Sequence, residues 1–99
     1  MAALRGVRRS GRLTTLHTRA RLDHGPARMA VVASRRVGGA VQRNRAKRLL
    51  RESARTLAWR PGHDLVLVAR TGCPQAGLHE VQGEVGALAR DLALLQERA

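Results

Sequence analysis

The sequence predicts a small mixed α and β domain that presents a basic helix. Two aliphatic runs, Met29–Ala33 and Leu65–Ala69, are separated by a segment whose apolar residues recur at helical spacing. A third segment, Leu13–Leu22, alternates apolar and polar residues instead. The charge is lopsided: residues 1–60 hold sixteen bases and two acids, residues 61–99 three bases and five acids.

Ninety-nine residues make one domain with a modest core. An apolar fraction of 43% is ordinary for a globular chain and argues against a disordered basic tail. With no Phe, no Tyr and only Trp59, that core must be aliphatic. A formal charge of +12 opposes compaction unless a polyanion neutralises it, and nucleic acid is the commonest such partner. Cys73 is the single cysteine, so no internal disulfide forms, which fits a reducing cytosol. It sits beside Pro74 with no histidine–acid pattern around it and reads as an inert thiol. No stretch approaches the ~20 apolar residues of a membrane-spanning helix.

Taken in order, residues 1–11 are basic, with Leu4 and Val7 three apart, and predict the end of a short helix stopped by Gly11. In the strand that follows, Leu16, Thr18, Ala20 and Leu22 share one face, and His17, Arg19 and Arg21 the other. His24-Gly25-Pro26 is a turn. The run at 28–34 has the continuous apolar character of a central strand covered on both faces. Gly38-Gly39 breaks it, and a helix follows near Val41–Ala58, ended by Pro61-Gly62. His63–Arg70 is a second buried strand, and 71–77 a loop. A last helix runs from about Leu78 to Arg98 on Leu78, Val81, Val85, Leu88, Leu92 and Leu95. Strand, helix, strand in the middle implies a parallel pair joined by a crossover.

On a wheel of the basic helix, Ala46, Leu49, Leu50, Ser53, Ala54 and Leu57 gather on one arc, which faces the sheet. Asn44, Arg48, Arg51 and Arg55 form the opposite stripe, with Lys47 flanking on one side and Arg45 on the other. A solvated helix face normally mixes signs, because like charges at i,i+4 are unfavourable. Here Arg43/Lys47, Lys47/Arg51 and Arg51/Arg55 are all like pairs, and Glu52 is the only acid. That face calls for external counter-charge, and arginine's planar fork suits phosphate oxygens. Asn44 reads either as an RNA contact or as the helix N-cap. Arg35 and Arg36 precede the glycine pair, where the backbone either approaches an anion closely or simply turns.

Protein-based catalysis is not legible. Asp23 and Glu52 are the only carboxylates of the basic half, and His17, His24, His63 and His79 lack metal-ligand spacing. One aromatic residue also disfavours platforms that stack successive bases. Recognition of a folded RNA by backbone and shape remains.

The stretch around this helix resembles the protein subunit of bacterial ribonuclease P. The residues that carry the resemblance are Met29–Ala33, Ser34-Arg35-Arg36-Val37-Gly38, Ala40-Val41, Arg43-Asn44-Arg45, Lys47-Arg48 and Arg51-Glu52, with looser agreement at Pro61-Gly62-His63-Asp64 and Ala69-Arg70. The resemblance implies an α+β two-layer sandwich like the second domain of ribosomal protein S5, with a short N-terminal helix, a left-handed βαβ crossover, the basic helix after the second strand, and a C-terminal helix. It implies that Arg35, Arg36, Arg43, Asn44, Arg45, Lys47, Arg48, Arg51 and Arg55 bind RNA, the Arg43-Asn44-Arg45 helix facing the catalytic RNA subunit. A leader-binding face for precursor tRNA would include Leu4, Val7, His17 and Arg19. The RNA would perform magnesium-dependent hydrolysis, with the metal bound mainly by RNA and no catalytic residue on the protein. The chain departs from the family in lacking aromatics for the leader cleft and in having Gly39 where an Asn is common. The alternative from the residues alone is a non-catalytic structural RNA-binding protein, ribosomal or assembly-related, and beyond it a DNA-binding module.

Overall fold

The computed structural model describes residues 6–96. Strands β1 (Val7–Ser10), β2 (Thr14–Ala20), β3 (Arg28–Val32) and β4 (His63–Ala69) form one sheet in the order β1-β2-β4-β3. Helix α1 (Ala40–Arg55) links β3 to β4, which run parallel, and α2 (Leu78–Asp91) follows β4. The other two pairings are antiparallel.

Register explains the layering. Thr14, Leu16 and Thr18 lie opposite Ala69, Leu67 and Leu65, so one face of the sheet collects the apolar residues of both central strands. Leu16, Leu65 and Leu67 are buried there against Ala46, Leu50 and Ala54 of α1 and Val81, Val85 and Leu88 of α2. Both helices therefore cover the same face, giving the two-layer α+β architecture. On the other face, Thr15, His17 and Arg19 of β2 stand beside Val68, Val66 and Asp64 of β4, and no described helix covers them.

Several expectations change. Val7–Ser10 form an edge strand paired to β2, where the sequence predicted the end of a helix. Leu4 lies outside the described residues. Arg8 and Arg9 hide this strand from a hydrophobicity pattern, and charge is one way an edge strand is protected from further pairing. The basic helix consequently follows the third strand. β3 is also an edge strand, not a central one: Met29 and Val31 pack on the core, while Ala30 and Val32 are exposed. α2 stops at Asp91 rather than Arg98, and Ala93 takes a left-handed φ of 56°. That turn buries Leu94 and brings Leu95 into a bridge with Trp59.

Three carboxylates and one arginine hold the frame. Glu84 of α2 reaches across to the β1–β2 turn. It accepts from the backbone N–H of Arg12 at 2.8 Å, the N–H of Leu13 at 2.9 Å and the hydroxyl of Thr14 at 2.7 Å. Arg21, expected on a polar strand face, has a side chain only 9% exposed. It donates to Asp23, to Asp64 at 3.1 Å, and to the carbonyls of His63 and Pro26. Arg21 and the Gly25 N–H hold the Asp23 carboxyl down to about 2. This cluster fixes the β2–β3 turn against the start of β4, where Gly62 N–H also donates to the Gly25 carbonyl at 2.7 Å.

Candidate nucleic-acid interface

α1 begins beyond a 3-10 turn at Arg35–Val37, whose N-cap Ser34 accepts from the Arg36 N–H at 3.3 Å. The chain can then turn into α1 only through Gly38. Its φ is 143°, and a Cβ there would lie 2.8 Å from the Gln42 Cβ. Gly38→Ala is expected to cost roughly 1–3 kcal/mol. Gly39→Ala is expected to cost less than about 1 kcal/mol, because Gly39 has φ −73° and open space in front of it. Urea unfolding of the two variants checks this.

Gly39, not Asn44, is the N-cap of α1. Asn44 sits a full turn inside the helix, exposed, with its amide free for an external partner. No acid and no side-chain cap occupy the first turn. The positive end of the helix dipole is therefore left for an outside anion.

The wheel is realised in space. Ala46, Leu50, Ser53 and Ala54 are buried and Leu49 is half-buried at the margin, but α1 ends at Arg55 rather than near Ala58, so Leu57, half-buried, packs from beyond the helix. Ser53 satisfies its buried hydroxyl by donating to the Leu49 carbonyl at 2.7 Å. Asn44, Arg48, Arg51 and Arg55 are exposed along the opposite side, and Arg43 and Lys47 are half-buried along the flank. Arg45 is exposed but tethered, its Nε donating to the Pro74 carbonyl at 2.6 Å, so it also locks α1 to the 3-10 turn at Cys73–Gln75. Arg35 and Arg36, both exposed, lie at the N-terminal end of this ridge.

Among the described residues, ion pairs join Arg9 to Asp91, Arg12 to Glu80, Arg19 to Asp64, and Arg21 to both Asp23 and Asp64. None involves Arg35, Arg36, Arg43, Arg45, Lys47, Arg48, Arg51 or Arg55. Asp23, Asp64, Glu80 and Asp91 pair with arginines elsewhere and Glu84 holds the β1–β2 turn, so Glu52 is the one acid on α1, and it forms no ion pair with the ridge among the described residues.

The family model for ribonuclease P matches residues 2–93 of this chain. The chain belongs to the ribonuclease P protein family. A ribonuclease P protein component from Chloroflexus aurantiacus is 42% identical over 100 residues, which is 92% of this chain and 73% of that protein. One from Dehalococcoides mccartyi is 54% identical over 44 residues, and the match spans only 37% of that protein's length. Among solved structures, the RNase P protein of Staphylococcus aureus superposes with a TM-score of 0.78 at 19% identity, covering 92% of this chain and 84% of that one. That of Thermotoga maritima gives 0.73 at 23% identity, covering 86% and 83%. At such identities the two structures speak for the fold.

The residues that the family resemblance assigned to a leader face partly converge. Val7, His17 and Arg19 line one open cleft of about 630 Å³ at the β1–β2–β4 surface, together with Arg8, Thr18, Asp64 and Val66. Arg8 carried no signal for this in the sequence, because its strand was not recognised. Arg19 is partly neutralised by Asp64 at 3.4 Å, so Arg8 and His17 are the basic side chains of the cleft that make no ion pair among the described residues.

Cys73 is buried, and burial chiefly, with Glu84 nearby, pushes its thiol up to about 11, which leaves it a packing residue. No described helix is long and apolar enough to cross a membrane.

Proposed function

We propose that this chain is the protein subunit of ribonuclease P. The reading is that it binds the catalytic RNA along the α1 ridge and the 5′ leader of precursor tRNA across the open sheet face. It thereby assists endonucleolytic removal of the leader to give the mature tRNA 5′ end. The observation that carries the reading is the ridge itself: a row of cations that form no ion pair among the described residues, in a chain of this family. Arginine forks take phosphate oxygens two at a time and release counterions as they do so. Asn44, in the middle of the ridge, can donate to a phosphate or read a 2′-hydroxyl.

The chemistry belongs to the RNA in this account, with magnesium. Hard divalent cations want several oxygen ligands. The carboxylates near the sheet do not fit one: Asp23 and Asp64 are taken by Arg21 and Arg19, and Glu84 by the β1–β2 turn. The protein's share is electrostatic. By supplying positive charge at the RNA surface, it lowers the magnesium needed to hold substrate and ribozyme together.

Precursor-tRNA cleavage by the cognate RNA, with and without this protein, tests the proposal across a magnesium series. Stimulation confined to low magnesium is expected. Unchanged cleavage at every concentration would point to a structural RNA-binding role instead.

A further inference from the structure

A second feature borders the ridge. Between the C-terminal half of α1 and the outer edge of β3 lies a cleft of about 600 Å³, within the roughly 300–1,000 Å³ of small-ligand sites. Its apolar lining comes from Met29, Val31, Ala54 and Trp59, its polar lining from Arg51 and Arg55, and no acid contributes. Trp59 is half-buried, and its indole N–H donates to the Ala54 carbonyl at 3.0 Å, which fixes the ring against the end of α1. β3 bonds to β4 on one side only, so among the described residues its outer backbone edge has no partner strand.

We infer that this cleft holds one unpaired nucleotide of the bound RNA. The chemistry of the lining is divided as a nucleotide's is. A base needs an apolar wall, best an aromatic one, and stacking on a side chain tolerates any base identity. A phosphate needs guanidinium groups, and Arg51 and Arg55 stand at i and i+4 on the wall of the same cleft. Donors and acceptors along a free strand edge can meet the polar edge of a base, as they would meet another strand. An extended peptide could use that edge as well. Charge decides for the nucleotide, because the arginines of the cleft continue the row begun by Arg48, which makes no ion pair among the described residues. A single base seated here also gives the lone aromatic residue of the chain a role that a multi-base stacking platform could not.

The inference rests on the reading that α1 binds RNA, but its test does not need the ribozyme. Trp59 is the only tryptophan, so its emission reports on this cleft alone. The full chain is titrated with a short oligoadenylate and with an abasic ribose-phosphate chain of equal charge, binding being followed independently by anisotropy of a labelled end. Saturable quenching by the oligoadenylate, and none by the abasic chain, is the expected result. Trp59→Leu should weaken the oligoadenylate about tenfold and leave the abasic chain unaffected. Equal emission changes with both chains, or oligoadenylate binding with no emission change, would overturn the inference. If the protein failed to stimulate the ribozyme yet showed selective quenching, the proposed function would fall while the nucleotide site stood.

Discussion

Replacing Arg48, Arg51 and Arg55 together by alanine is expected to lower affinity for the cognate RNA about a hundredfold or more at ~0.1 M salt. The dependence of log K on log salt should flatten by about three units, one for each lost phosphate contact. These residues are exposed, spaced at i, i+3 and i+7, and make no ion pair among the described residues. Their mutual repulsion costs helix stability in the free protein and is relieved by a polyanion. The same variant should therefore unfold no more easily than wild type, since alanine is the better helix former and like-charge pairs are removed. Arg90→Ala on α2 is the control: it also removes an exposed arginine, but away from the ridge, and should leave the slope unchanged. Salt-titrated filter binding reads all of these.

The largest effect on stability is expected at Glu84. Its carboxylate takes two backbone N–H groups and a buried threonine hydroxyl from the β1–β2 turn, and joins that turn to α2. Thr14 is fully buried, so its hydroxyl has no water to turn to. Glu84→Ala removes charge-assisted bonds and strands their donors, which together cost roughly 2–4 kcal/mol. That is a large share of the ~5–15 kcal/mol that holds a small domain together. The melting temperature should fall by on the order of 10–20 °C. Glu84→Gln keeps the shape but offers one acceptor oxygen and turns an NH2 toward donors, so it should recover less than half of the loss. Calorimetry of both variants checks the ordering.

The structure also shows which features a sequence can carry. The α1 wheel was legible because its apolar and basic arcs are both continuous over four turns, and burial of Ala46, Leu50, Ser53 and Ala54 follows it. β2 and β4 were legible from alternation and from apolar runs. β1 was not, because Val-Arg-Arg-Ser has no hydrophobic period and becomes a strand only by pairing with β2. β3 was read as central because five apolar residues in a row look doubly covered. The small side chain of Ala30 and the exposed Val32 instead face the open side of the sheet. The C-terminal end was set by contacts remote in sequence: Arg60 N–H donating to the Leu94 carbonyl, and Trp59 opposite Leu95, pull 92–96 out of helical register.

Of the site, the ridge was visible in full, but two of its residues hold roles that only tertiary structure assigns. Arg45 is half a structural tether through Pro74, and Asn44 is released from capping by Gly39. Arg21 looked like one more surface cation. Its partner Asp64 lies 43 residues away, so no local pattern could reveal that it belongs to the frame. The cleft at Trp59 was equally hidden, since its two walls come from β3 and from the end of α1.

The central claim, that RNA lies along α1 and not on α2, is tested most directly by tethered cleavage. Val41 is 78% exposed on the ridge side of α1 and carries no charge, so a cysteine there bears a hydroxyl-radical source without weakening the electrostatics. Ala87, exposed on α2, takes the same probe as the comparison. The native Cys73 is buried with its thiol pushed up to about 11, so it should stay unlabelled. Discrete cuts in the catalytic RNA from Val41→Cys, with none from Ala87→Cys, are predicted. Cuts from Ala87→Cys alone, or equal cuts from both, would contradict the account.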